Sequence, residues 1–162
     1  MLELRRILAA VIGCFAAPGE LDAVAVEGTL PIRSAPDELL LVSRPAGSAA
    51  VVAAAEAALE RDQDSLVLDV SDGFGLCSLS GDWREAFARL CAIPAPAAAG
   101  CIQGLFADVP AKLVIGQSEL LIVSSSVVTH HVEERVLRAC GDLEPATREP
   151  SPLELPLQAA VA

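Results

Sequence analysis

The sequence has few aromatic residues and almost no lysine. Phenylalanine, tryptophan and tyrosine make up 3% of its 162 residues, tyrosine is absent, and Lys112 is the only lysine. Nucleic-acid backbones are bound by clustered lysine and arginine, whereas this chain has a net charge of −11 and no basic run beyond Arg5-Arg6. The composition therefore argues against a nucleic-acid partner and against attraction to an anionic membrane surface. The acidity is compatible with a basic protein partner or simply with solubility.

Closely spaced cysteine pairs are also missing. The five cysteines show no C-x-x-C spacing of the kind found in metal and redox motifs, and they stand at positions 14, 77, 91, 101 and 140. We interpret them as small buried hydrophobic residues in a reducing compartment, which favours a cytoplasmic protein.

The N-terminal segment allows two interpretations. Arg5-Arg6 precedes the apolar run ILAAVIGCFAA, which is similar to a short secretion signal, and an exported lipoprotein processed at Cys14 is one alternative. Glu3 and the helical spacing of the apolar residues favour an amphipathic helix over residues 2–16, ended by the breaker Ala17-Pro18-Gly19. The apolar run is too short to span a membrane.

Residues 65–91 form the unit around which the rest of the chain is arranged. The sequence predicts a strand over 66–70, a turn at Ser71-Asp72-Gly73 and a return strand over 74–79. Asp82 is placed to cap the helix that follows. The helix has one continuous apolar face, consisting of Trp83, Ala86, Phe87, Leu90 and Cys91.

Strands followed by a helix recur three times, over residues 38–61, 66–91 and 101–140. Two further strands are predicted over 23–27 and 29–33. Because short links between strands require antiparallel pairs, we expect an α+β fold with a mainly antiparallel sheet and the helices packed on one face. The predicted organisation is an N-terminal helix and breaker at 1–20, a single domain at 21–141, and a proline- and glutamate-containing tail at 142–162 that is disordered or docks on a partner.

Four groups of residues are candidates for chemistry. The pair His130-His131 with the following glutamates is arranged as a metal site on one helix would be, but no other histidine exists to complete it. Cys77 lacks the glycines of a nucleophile elbow, and Gly73-Phe74-Gly75 opens a strand rather than a helix. Asp69 and Asp72 are interpreted as turn residues. The sequence therefore predicts no catalytic, cofactor-binding or metal-ligating residue.

A family resemblance adds to these patterns. The motifs that carry it are Asp37 to Val42, Val67 to Gly73, Leu79-Ser80-Gly81 with Ala86 and Leu90, Gly100 to Gln103, and the late LLIVSSS before a helix. In this order they resemble the gamma subunit of heterotetrameric sarcosine oxidase, which is similar to the folate-binding aminomethyltransferase domain. The resemblance covers about residues 36–140.

The resemblance implies an accessory role. In that family the flavin, nicotinamide nucleotide, folate and zinc sites are attributed to the other subunits, so this chain is expected to bind none of them itself. We therefore expect a non-catalytic subunit of a sarcosine-oxidase-like flavoenzyme that acts on N-methyl amines in one-carbon metabolism, within a hetero-oligomer containing larger oxidase subunits. The alternative is a stand-alone module that binds a folate or a pterin.

Overall fold

The computed structural model describes residues 1–155. Within these residues the chain forms ten strands and four helices, with short 3₁₀ turns between some of them. The strands are β1 (Leu2–Leu8), β2 (Ala10–Phe15), β3 (Leu30–Ala35), β4 (Glu38–Ser43), β5 (Leu66–Asp69), β6 (Phe74–Gly81), β7 (Gly100–Phe106), β8 (Val109–Ile115), β9 (Glu119–Ser125) and β10 (Ala146–Pro152). The helices are α1 (Pro18–Leu21), α2 (Ser48–Ala58), α3 (Trp83–Leu90) and α4 (Thr129–Ala139).

The chain divides into two compact units. Unit 1 contains Met1–Ile7 and Asp72–Ser151, whereas unit 2 contains Leu8–Ser71 and a short piece that begins at Pro152. Unit 1 has a six-stranded sheet in the order β10-β1-β6-β9-β8-β7, and unit 2 has a four-stranded sheet in the order β3-β4-β2-β5. The predicted α+β class with antiparallel pairing is confirmed. The residues of the single domain predicted over 21–141 are divided between these two units.

The core of unit 1 lies between one sheet face and the helices α3 and α4. The apolar face of α3 is buried as predicted, and the ring of Phe87 lies 6.3 Å from that of Phe106 on β7. Cys77 and Leu79 of β6 point into the same core. Burying each large apolar side chain contributes about 1.5–3 kcal/mol, so this face supplies much of the stability of unit 1.

Unit 2 has its core under α2. Ile12 and Cys14 of β2 pack with Leu39 and Leu41 of β4, and residues of α2, among them Ala55, cover them. Alanine at the helix–sheet contact lets α2 approach the sheet closely. The buried residues described in this core are aliphatic or cysteine, so they pack without an aromatic side chain.

The predicted N-terminal helix is wrong, because residues 2–15 form β1 and β2. Leu2 and Leu4 are buried while Glu3 and Arg5 are more exposed, which is the alternation of a strand with one face in a core. β2 is an inner strand that pairs with β4 on one side and β5 on the other, and its residues from Ala10 to Cys14 are buried. A short apolar run of this kind cannot be distinguished from a buried helix by periodicity alone.

The same strands argue against the lipoprotein alternative. Cys14 is fully buried within β2, opposite Leu39 on one neighbouring strand and Val67 on the other. Cleavage at Cys14 would remove β1 and most of β2 from their sheets. The structure gives that alternative no support.

The predicted hairpin between residues 66 and 79 is also wrong. β5 pairs with β2 in unit 2, while β6 pairs with β1 and β9 in unit 1. The segment Ser71–Gly73 forms a 3₁₀ turn at the sequence boundary between the units. Asp69 does shape this turn, since its carboxylate accepts hydrogen bonds from the backbone N–H and the hydroxyl of Ser71. The strands that pair with β5 and β6 lie elsewhere in the sequence. The residues of the turn between β5 and β6 therefore do not determine which strands pair.

Residues 23–27 and the C-terminal tail also differ from the prediction. Residues 23–27 form turns and loop rather than a strand. In the tail predicted at 142–162, residues 146–152 form β10 beside β1, held by an ion pair between Arg148 and Glu3. The remainder of that tail from residue 156 lies outside the described residues.

Gly75 lets α4 begin directly against β6. A Cβ atom at this position would lie 1.8 Å from Oγ1 and 2.9 Å from Cβ of Thr129, the first residue of α4. Thr129 is itself buried, so it has little room to move away.

We predict that Gly75→Ala destabilises the protein by about 1–3 kcal/mol, because the added methyl group overpacks the contact with Thr129. Gly104→Ala is the matched control, since a Cβ atom there meets nothing within 4 Å. Urea unfolding measures both variants. Adding Thr129→Ala to Gly75→Ala should recover part of the loss, and an unchanged midpoint for Gly75→Ala alone would contradict the prediction.

Arg89 ties the end of α4 to α3. Its guanidinium donates to Glu85 on its own helix, to the carboxylate of Asp142, and to the carbonyl of Ala139 at 3.2 Å. The hydrogen bond from Arg89 lowers the pKa of Asp142 below its ordinary value.

A group whose pKa is lowered by folding stabilises the protein above its unfolded pKa, about 3.9 for aspartate, and loses this effect as the pH falls through the folded value. We therefore expect Asp142→Asn to lower the unfolding temperature slightly at pH 7, and we expect this difference to shrink as the pH falls below about 3.9 towards the lowered pKa of the folded protein. Thermal unfolding between pH 2.5 and 7 measures the difference. A difference that persists at the lowest pH would show that another contact is responsible.

Candidate functional site

The buried thiols lack the properties of nucleophiles. Burial raises the pKa of Cys14 to about 11 and that of Cys77 to about 12. The pKa values of Cys101 and Cys140 are also raised by burial. Because the thiolate is the reactive form, these groups are neutral and unreactive near pH 7.

The two histidines point to different partners. His130 Nε2 lies 3.3 Å from Glu134 on the exposed side of α4, whereas His131 Nε2 lies 3.1 Å from the carbonyl oxygen of Ala107. A carbonyl oxygen only accepts, so Nε2 of His131 carries the proton. Glu133 is paired with Arg6. Across residues 1–155 no group of three histidine, cysteine, aspartate or glutamate side chains could hold a metal ion.

His131 instead holds the turn between β7 and β8. Ala107 and Asp108 both have positive φ, 52° and 68°, as a two-residue turn between twisted strands requires. The N–H of Ala107 donates to the carbonyl of Leu90 at 2.9 Å, and Arg135 pairs with Asp108 at 2.8 Å. An unusual backbone conformation persists only where surrounding contacts fix it, and here α3 and α4 both do so.

Unit 1 has a groove that is large enough to hold a ligand. It has a volume of about 660 Å³, within the usual range for ligand sites. The lining residues come from β6 to β9 and from the turn before β6, and they are Gly73, Phe74, Gln103, Gly104, Leu105, Pro110, Ala111, Lys112, Val123, Ser124 and Ser125.

The strand register places most of this groove on the sheet face opposite α3 and α4. Gln103, Lys112 and Val123 lie directly opposite one another on adjacent strands, so their side chains share a face. The alternate residues of the same strands, among them Leu113 and Ile122, point into the helix-covered core. The groove therefore occupies the other face of the six-stranded sheet.

Lys112 gives the groove its charge. Its ammonium nitrogen lies 5.6 Å from the centre of the Phe74 ring, within the distance of a cation–π contact. The wall beside it includes Leu105, which is 58% exposed. An ammonium group beside an aromatic ring and an aliphatic wall can bind a carboxylate attached to an apolar body.

Sequence reasoning missed this groove. In the sequence, Lys112 stands out only as the sole lysine, and Gln103 only as the end of the motif Gly100 to Gln103. The useful signal was the strand pair 101–107 and 111–115 around a short turn. Its register would have placed Gln103 opposite the lysine.

None of the helices formed by residues 1–155 is both long and apolar enough to cross a membrane. No protein-family model matches this chain, and no curated protein sequence matches it either.

Solved structures do resemble it. A chain of the heterotetrameric sarcosine oxidase from Corynebacterium sp. U-96, determined in complex with pyrrole 2-carboxylate, matches with a TM-score of 0.70 and 21% identity. The match covers 90% of this chain and 86% of that one. This chain has the fold of a sarcosine oxidase subunit.

A second neighbour is the glycine cleavage system aminomethyltransferase T from Bartonella henselae, with a TM-score of 0.65 and 14% identity. The match covers 90% of this chain but 47% of the transferase, so this chain spans about half the length of that enzyme. The sarcosine oxidase chain, in contrast, is matched over most of its length. The resemblance inferred from the sequence motifs is confirmed at the level of the fold.

We predict that iodoacetamide at pH 7.5 leaves Cys14 and Cys77 unmodified in the native protein, because their raised pKa values keep them protonated and their side chains are buried. Mass spectrometry of tryptic peptides measures the labelling, and the urea-denatured protein is the control in which all five cysteines react. Rapid native labelling of Cys77 would contradict this assignment.

Proposed function

We propose that this chain is a non-catalytic accessory subunit of a sarcosine-oxidase-like flavoenzyme complex, which acts on N-methyl amines in one-carbon metabolism. The observation that carries the proposal is the match in fold and length to a chain of a heterotetrameric sarcosine oxidase. The match to part of an aminomethyltransferase supports the same area of metabolism. Both likenesses are of fold, so the shared activity is our inference.

The chemistry of the described side chains supports an accessory role. The side chains best suited to proton or group transfer are engaged in the fold. His131 holds a turn, Cys77 is a protonated core thiol, and Asp69 accepts hydrogen bonds from Ser71. We accordingly place the flavin, nicotinamide nucleotide, folate and zinc sites of the complex in its larger subunits, and we place the complex in the cytoplasm.

Co-expression with the oxidase subunits of its own genome tests this proposal. We expect the chain to co-elute with them in size-exclusion chromatography, and we expect omission of the chain to lower the stability or activity of the complex. The His130→Ala, His131→Ala double variant should still support turnover, because neither side chain is given a part in the reaction. A chain that elutes as a monomer beside an intact oxidase would remove the proposal.

A stand-alone folate- or pterin-binding module is the second candidate. The specific observation in its favour is the groove, where the Phe74 ring and the Lys112 ammonium could contact the aromatic and carboxylate parts of a folate. Thermal unfolding with and without folinate at a hundredfold its dissociation constant tests it, since binding would add about 2.7 kcal/mol. The Lys112→Met variant should lose that gain if the groove is the site.

A further inference from the structure

β5 is an edge strand of the four-stranded sheet in unit 2. It lies at one end of the order β3-β4-β2-β5, and its one strand neighbour among residues 1–155 is β2. The amide of Val70 donates to the carbonyl of Val11 on β2 at 2.9 Å. Because the backbone groups of an antiparallel strand alternate between its two sides, Val67 and Asp69 turn their N–H and C=O groups away from β2. These outward groups are available to a further strand.

Two leucines of β5 are exposed beside this edge. Leu66 is 49% exposed and Leu68 is 44% exposed. Val67 between them packs against the core under α2, so both leucines lie on the other face of the sheet. Phe15 of β2 stands opposite Leu66, and its ring occupies the space that a side chain at Gly13 would need. Leu66, Leu68 and Phe15 form an apolar surface, which we call the β5 patch.

β5 has only part of the usual protection of an edge strand. Proteins normally blunt such edges with charges, prolines, bulges or very short strands. β5 is short and ends at the charged Asp69, but the stretch from Leu66 to Leu68 contains no charge, no proline and no register shift. A further strand would pair the outward backbone groups and would extend the apolar surface of the β5 patch.

The surroundings of β5 are acidic. Residues 60–69 contain one cation, Arg61, and four carboxylates, which belong to Glu60, Asp62, Asp64 and Asp69. Within the described part of the chain, none of these carboxylates forms an ion pair. Two copies of this chain, each with a net charge of −11, would bring like charges together at this edge. The charge around β5 therefore favours a basic partner over a second copy.

We propose that β5 receives an extended segment of the larger oxidase subunit as an additional strand, and that arginine or lysine residues flank the apolar part of this segment. This proposal rests on the function proposed above and names the surface through which the complex forms. Strand addition draws its affinity from main-chain hydrogen bonds and its specificity from contacts of alternate side chains. Here Val67 and Asp69 supply the hydrogen bonds, and the β5 patch supplies the apolar contact.

Affinity measurements with the large oxidase subunit of the same genome test the backbone edge. Val67→Pro removes an outward N–H group and leaves the hydrogen bonds between β5 and β2 in place. We expect it to weaken binding about tenfold, since the added strand loses a hydrogen bond and meets the proline ring. Val67→Ala is the matched control, because it shortens the same side chain but keeps the N–H group, and it should bind as the wild-type chain does. Circular dichroism verifies that both variants are folded.

The same measurement tests the charge. Asp64→Lys should weaken binding about tenfold, because it places a cation beside a basic segment. Glu27→Lys is the matched control, since it makes the same change of charge just before β3, at the other end of the sheet, and should change nothing. A loss of affinity in Val67→Pro without one in Asp64→Lys would overturn the basic character of the segment.

Hydrogen exchange of the wild-type chain gives a measurement that needs no variant. In the complex, the amides of Val67 and Asp69 should exchange about tenfold more slowly than in the free chain, because the added strand pairs them. If the wild-type chain binds the subunit without this protection and Val67→Pro binds equally well, the docking surface is wrong and the proposed function stands. If the wild-type chain does not bind, both proposals fail. A dimer of the chain alone that Val67→Pro dissociates would assign the edge to a second copy and overturn the oxidase segment.

Discussion

The start of α4 against β6 depends on the absence of a side chain at Gly75. Without that close approach Thr129 could not be buried there, and α4 would have to move away from the sheet. The position of α4 in turn places His131 and Arg135 on the turn between β7 and β8. A contact in the core thus positions the helix whose side chains hold this turn.

The elements that could be predicted from the sequence are those whose determinants are local. α3 has its amphipathic face within eight residues, and β4 is a short apolar run between turn residues, so both agree closely with expectation. β1 and β2 could not be predicted as strands, because the strands that pair with them come later in the chain. The pairing of β5 failed for the same reason, since its partner is β2 rather than the strand that follows it.

The candidate site shows the same division. The role of Asp69 in the turn could be anticipated from the local sequence. The groove could not, because it is assembled from residues of four strands and the turn before β6, and only the register of those strands brings Lys112 near Phe74. The fold itself occurs both in a chain of an oxidase and as part of a larger transferase.

The pairing of β1 with β6 has a consequence for folding. Leu4 of β1 lies opposite Leu79 of β6. During synthesis β1 is made before residues 8–71 of unit 2, and its partner β6 is made after them. Contacts between residues far apart in sequence slow folding, and unpaired apolar strands are exposed to aggregation while they wait. We therefore infer that unit 2 can form most of its sheet first, while the chain is still on the ribosome. Unit 1 completes its sheet later, when β6 pairs with β1.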